Sequence, residues 1–497
     1  MTTTPRPAAG RRTPRRLPLA STGDDRFDAI LGGGIPTESS VMVAGPPGSG
    51  KTVLILQMLF RAARAGQRSL YFTALSEPAL KVIRYMQVFD FFDQALLEEF
   101  IVLSDLGVAV RDGAAGTISE LSRMMEKHEP QFLVIDSVRS VIDLMPDHRT
   151  SRSFIYELAT RSATWGTTTF LLGEYAADDP LQSPEFAVAD GILRLGVRRH
   201  DLTAVRELEV VKLRGADYVS GKHFFEITPA GVFVFPRVRA PHSVDSHMAE
   251  AVGRVSTGTK GLDELFGGGI PGLSTTVVQG ATGSGKTIVG LQFLIEGAAR
   301  GEKGMLLTLE ETPEQLRSLA ATLGWNLLEL EKQGRLTIRY ESPVEISTDR
   351  YLQMARDEVR LTGITRVVLD SLTSLSLGVT SDRRYKELVY AVSKHMRSCG
   401  ATLLMTVETE QVLGAETVVG GHGVSFMADN VLQLRYVEAG GHRERAISVL
   451  KARGVKHDTA MRLLRIEPGG PVVARTGLTP PVGARTRTKP SPRRRRT

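Results

Sequence analysis

The sequence is nearly without cysteine: Cys399 stands alone in 497 residues. A single thiol excludes an intrachain disulfide framework and any multi-cysteine zinc or iron–sulfur site, and it points to a reducing, cytoplasmic compartment. Long apolar runs are missing too. No stretch approaches the roughly 20 residues a bilayer span requires, and Arg15-Arg16 leads into Leu17-Pro18-Leu19-Ala20 and then charge, not into a signal-peptide core. No membrane partner is expected. Acid is absent from both ends. The first 20 residues carry five arginines and residues 471–497 carry eight positive charges, so the formal net charge of +7 leaves the body between them at −6. Such basic, Pro/Thr-rich ends read as solvated tails or as arms for an acidic partner. The acidic body argues against nucleic-acid binding beyond weak contact through those tails.

What remains is ample for more than one core. At 42% hydrophobic and 24% charged, the chain has ordinary globular composition, and its length suits two or three domains. Self-comparison resolves the count. Ser21-Thr22-Gly23 followed by Gly32-Gly33-Gly34-Ile35-Pro36 recurs as Ser256-Thr257-Gly258 and Gly267-Gly268-Gly269-Ile270-Pro271, 235 residues later. A period this long signals duplication of a whole domain. The expected organisation is a basic arm at 1–16, units at 17–236 and 255–472, a linker at 237–254 and a basic tail at 473–497. Within each unit, short apolar strands alternate with helical patterns, and the buried-strand runs Phe132 to Ile135 and Val367 to Leu369 end in acids. This predicts an α/β fold: two tandem domains, each a doubly wound, mainly parallel sheet. Denser strand patterns after Asp190 and Asp429 predict a β-rich extension closing each unit.

The duplicated chemistry is a phosphate loop. Gly45-Pro-Pro-Gly48-Ser49-Gly50-Lys51-Thr52 and Gly280-Ala-Thr-Gly283-Ser284-Gly285-Lys286-Thr287 each follow a strand and open a helix. Backbone N–H groups of such a loop cradle phosphates, the lysine reaches the β/γ-phosphates, and the hydroxyl meets Mg²⁺. ATP and Mg²⁺ are therefore the expected cofactors. Asp136 and Asp370, each ending a buried strand, are candidate Mg²⁺-side acids, with a helix N-cap as the plainer alternative. Glu310 and Glu311, 24 and 25 residues beyond Lys286, are candidates to position or deprotonate water, Glu310 also to face the metal; the alternative is two favourable first-turn acids. Pro78 and Pro313 keep register with their lysines, so Leu75 and Ser76 stand where these glutamates stand, and Glu77 falls one residue beyond. Hydrolysis is expected mainly in the second unit, with more passive ATP holding in the first. Lys212/Arg214 and Lys451/Arg453, two apart on β-rich runs, suit a clamp on a γ-phosphate supplied in trans, or else a solvated basic edge.

Taken together, these residues resemble the KaiC family, the two-domain RecA-like ATPases of the cyanobacterial clock, over about residues 17–470. Leu309-Glu-Glu-Thr-Pro313, Gly414-Ala-Glu416, Leu434-Arg-Tyr-Val-Glu438, Lys212-Leu-Arg-Gly215 and Lys451-Ala-Arg-Gly-Val-Lys-His457-Asp458 carry the likeness. The resemblance implies homohexameric rings with ATP between subunits, bound by the P-loop of one and the K-x-RG strand of the next. It adds His457 to the nucleotide-binding residues and suggests that Trp325 contacts the second-unit adenine, with core packing as the alternative. The family's adjacent serine–threonine phosphosite pair is absent: Val419 to Ser425 offers one hydroxyl, Ser425, beside Val424. The expectation is a nucleotide-dependent signalling switch with an unknown protein partner, leaving serine/threonine autokinase activity open. A RecA-type DNA-dependent ATPase or recombinase and an ATP-stabilised scaffold are the competing readings.

Overall fold

Ser40–Gly45 and Thr275–Gly280 are buried at every position, which suits strands at the centre of a sheet covered on both faces. Their side chains alternate between two cores. Val41 and Val43 enter one apolar cluster while Met42 and Ala44 enter another, and Val277 and Val278 divide in the same way. The structure, a computed structural model, describes residues 17–74, 78–176, 183–200, 203–240, 253–343, 347–379, 381–409, 427–439 and 441–477. Two compact units divide the chain at 237/238.

In the first unit, the described strands form a nine-stranded sheet in the order Gly231–Phe235, Lys222–Thr228, Thr203–Leu213, Gly191–His200, Ser40–Gly45, Thr168–Glu174, Phe132–Asp136, Ser69–Thr73, Ile101–Asp105. Pairing is parallel from Gly191–His200 through to Ile101–Asp105. The last three strands in sequence instead run antiparallel as a meander. The second unit repeats this plan, with Thr275–Gly280 between Thr402–Glu408 and Asn430–Ala439 and an antiparallel meander ending at Gly470–Gly477. The α/β doubly wound reading and the β-rich extensions hold in both units.

Part of the expected linker has a defined place. Val238 is buried in a core of the second unit, its amide N–H donates to Asp349 Oδ1 at 2.8 Å, and Arg384 pairs with the same carboxylate. His395 Nε2 contacts the carbonyl oxygen of Arg239 at 2.5 Å. The basic arm and the end of the tail, Leu75, Ser76 and Glu77, and the segment holding Gly414 to Glu416 and Ser425 lie outside the described residues.

Candidate functional site

Each P-loop turns tightly between strand and helix because glycine stands where other residues would not fit. A Cβ at Gly45 or Gly280 would strike the carbonyl oxygen of Leu195 or Leu434, and Gly50 and Gly285 cap the following helices at φ 99° and 106°. Gly48 and Gly283 also take positive φ, at 74° and 72°. Ser49 and Ser284 are fully buried, their hydroxyls without partners. Lys51 Nζ donates to the carbonyls of Gly45 and Pro46 at 2.8 and 3.1 Å; Lys286 does the same to Gly280 and Ala281 at 3.0 and 3.1 Å. Burial draws the Lys51 ammonium below its usual pKa, partly offset by Glu174 and Asp136.

Beside each loop a threonine meets the strand-end acid. Thr52 Oγ1 donates to Asp136 Oδ2 at 2.9 Å and Thr287 Oγ1 to Asp370 Oδ2 at 2.7 Å. A third partner differs between units: Tyr71 OH donates to Asp136 Oδ2, whereas Thr406 Oγ1 donates to Asp370 Oδ1. Burial raises the Asp370 carboxyl above the usual carboxylate range, against the pull of Thr406 and Thr287. Among the described residues no three His, Cys, Asp or Glu side chains gather as a metal site. A hydroxyl and one carboxylate nevertheless fit Mg²⁺, which takes few protein ligands and completes its shell with phosphate oxygens and water.

Glu310 and Glu311 follow Gly304–Thr308 and face different partners. Glu310 Oε1 accepts from the hydroxyls of Ser371 and Ser374, the latter at 2.7 Å. Glu311 Oε2 is buried without a partner, and burial, then the charges of Asp370 and Glu310, push its carboxyl upward. Ser371 also caps helix Leu372–Leu377, so the Asp-Ser-x-x-Ser sequence after the strand links the acid, the cap and Glu310. That signal was readable but unused. Two further groups escaped sequence reasoning: Arg445 Nε donates to Gly283 O at 3.0 Å, and Tyr436 OH lies 3.5 Å from Thr282 O, both from the second unit's meander.

The two cation pairs lie at the other end of the sheet. Lys212 pairs with Ile192 and Lys451 with Val431, each beside a β-bulge. Lys212 Nζ donates to Ala189 O at 2.5 Å, and Arg214 Nη1 reaches Asp190 Oδ1 at 3.2 Å. Lys451 Nζ donates to Ala428 O at 2.7 Å, while the Arg453 amide meets Asp429 O at 3.0 Å. Burial and the adjacent arginine lower the pKa of both lysines. Asp190 and Asp429 in turn accept from the amides of Ser40 and Thr275, the first residues of the P-loop strands. Lys212 and Lys451 lie level with Met42 and Val277, three residue steps or about 10 Å before the end of each P-loop strand, while Arg214 and Arg453 sit by Asp190 and Asp429, level with its first residue, roughly 17 Å back at about 3.3 Å per step.

Trp325 packs against the core at the turn before helix Leu327–Lys332, where its ring and Gln292 crowd Gly470, leaving no room there for a Cβ. His457 is partly exposed beside Asp458, whose amide donates to Leu265 O at 2.8 Å.

A family model described as "ATPase: KaiC" matches residues 20–239 and again 255–477. Among curated proteins the chain is 30% identical to the circadian clock oscillator protein KaiC of Picosynechococcus sp. over 90% of this chain and 88% of that one. It is likewise 30% identical to proteins of the same description from Rippkaea orientalis and Synechococcus elongatus, over 90% of this chain and 87% of theirs.

Proposed function

Since the chain belongs to the KaiC ATPase family, we propose that it is a cytoplasmic Mg²⁺-dependent ATPase, assembled as a homohexameric ring, whose nucleotide state is read by a signalling partner. Thr52 with Asp136 and Thr287 with Asp370 would hold the metal, which neutralises phosphate charge. Lys51 and Lys286 bind the phosphates. Glu310 and Glu311 handle the attacking water in the second unit, and the first unit holds ATP more passively.

The observation that carries this reading is the separation of Lys212/Arg214 and Lys451/Arg453 from their own P-loops. Cations set back about 10 to 17 Å along the sheet from their own P-loop, and two strands to its side, suit the nucleotide of another copy, as trans arginine fingers do. Lys451→Ala with Arg453→Ala is expected to weaken ATP-driven assembly and turnover while the second-unit P-loop still binds nucleotide. Sedimentation and phosphate release with and without ATP provide the check; wild-type behaviour in both would sink the trans assignment. Autokinase activity is a narrower branch of the proposal, with Ser425 as the one hydroxyl from Val419 to Ser425.

A further inference from the structure

A cavity of 130 Å³ opens at the base of the second unit's sheet. Thr275, the first residue of the P-loop strand, lines it with Asp429 and Arg453, and helix Asp382–Ser398 contributes Tyr390, Lys394 and Arg397. Three cations thus face one carboxylate. The Asp429 carboxylate already accepts from the Thr275 amide at 3.0 Å. Arg397 Nε is buried without a hydrogen-bond partner, and the Lys394 ammonium lies 5.4 Å from the centre of the Tyr390 ring. An oxyanion in the cavity would meet cationic donors from both the helix and the Arg453 side, the setting in which charge-assisted hydrogen bonds form. The volume limits the ligand. At 130 Å³ the cavity is well below the roughly 300–1,000 Å³ of a site that encloses a whole small molecule. One tetrahedral phosphoryl group is the fitting class.

The first unit supplies an internal control. Helices His148–Trp165 and Asp382–Ser398 precede strands Thr168–Glu174 and Thr402–Glu408, which lie 234 residues apart. In that register Tyr156 stands at Tyr390, but Thr160 and Ala163 stand at Lys394 and Arg397. The fold does not need two cations there, since the counterpart helix forms without them.

We propose that Lys394, Arg397 and Arg453 form a recess for a single phosphoryl group, and that it receives the terminal phosphoryl of a nucleotide held by the P-loop of a second copy of this chain. The source of the phosphoryl rests on the trans reading above, while the chemistry is shared with free phosphate. The test uses the full chain carrying Lys394→Thr and Arg397→Ala, which writes the first unit's residues into the second; an unchanged thermal midpoint establishes that the fold is intact. Losing two charge-assisted contacts is expected to raise the ATP concentration for half-maximal assembly by roughly tenfold or more, with ADP titrations unmoved. Calorimetric titration of the ADP-loaded protein with inorganic phosphate is expected to weaken by a similar factor. If both titrations match wild type, the recess is overturned, even where Lys451→Ala with Arg453→Ala abolishes assembly and so leaves the trans reading standing. A variant that loses phosphate binding but assembles normally in ATP overturns the second-copy source. The converse, with Lys394→Thr and Arg397→Ala impaired but Lys451→Ala with Arg453→Ala assembling as wild type, removes the earlier pair assignment and overturns the recess as a three-cation site, since Arg453 belongs to both.

Discussion

Glu310 and Glu311 are neighbours in sequence with unlike surroundings. The first gives an oxygen to two serine hydroxyls, while the second keeps a buried oxygen without a partner and a carboxyl pushed upward by burial. A general base needs an unengaged lone pair and a pKa drawn toward the working pH. Glu311→Gln is therefore expected to cost turnover roughly 10²-fold or more, and Glu310→Gln less, because an amide can still meet Ser371 and Ser374. The sign of the pH effect follows. The base acts deprotonated and its pKa is raised, so the acid limb of turnover lies above the ordinary glutamate value of about 4.3. Glu310 is one cause of the rise, so Glu310→Gln shifts that limb to lower pH. A pH–rate profile in which Glu310→Gln abolishes turnover and Glu311→Gln does not would reverse the two roles.

The second-unit helices Thr348–Thr362 and Asp382–Ser398 hold Val238 through one buried carboxylate, Asp349. Asp349→Ala leaves the Arg384 charge and the Val238 amide without that acceptor, and about 2–4 kcal/mol of stability should be lost. Thermal denaturation followed by circular dichroism reads this directly; an unshifted midpoint would mean that the clasp contributes nothing. None of this was visible in the linker sequence, because proline, histidine and serine around residue 240 look alike whether solvated or docked. The P-loops, the strand-end acids and the meanders were legible, since each depends on local spacing and repeats 234 to 239 residues apart. Tyr71 and Thr406, which flank the two acids, come from neighbouring strands, so sheet order had to be known first. Lys394 and Arg397 were hidden for another reason: on an amphipathic helix two cations near the C-terminal end read as a favourable solvated face.

At the scale of the molecule, each unit is polar in the sense of an arrow, with the phosphate loop after one end of the central strand and the cation pair set back toward the other, two strands away. Two copies related by a twofold axis bring like surfaces together, so such an arrow is satisfied by head-to-tail contacts that close on themselves. On the proposed trans arrangement every site is joint property: a copy lacking Lys451 and Arg453 is expected to impair its neighbour's pocket and not its own. A copy with Lys286→Ala is expected to impair its own pocket while still lending cations onward. Either variant alone is expected to be inactive in the second unit, yet an equal, randomly exchanged mixture should recover about a quarter of wild-type turnover, the fraction of sites drawing an intact loop from one copy and intact cations from the next. No recovery after verified subunit exchange would show that the sites are not shared. Heredity has a word for two broken copies that work when paired, and here the separation of loop and cations within one sheet would make the protein capable of complementation.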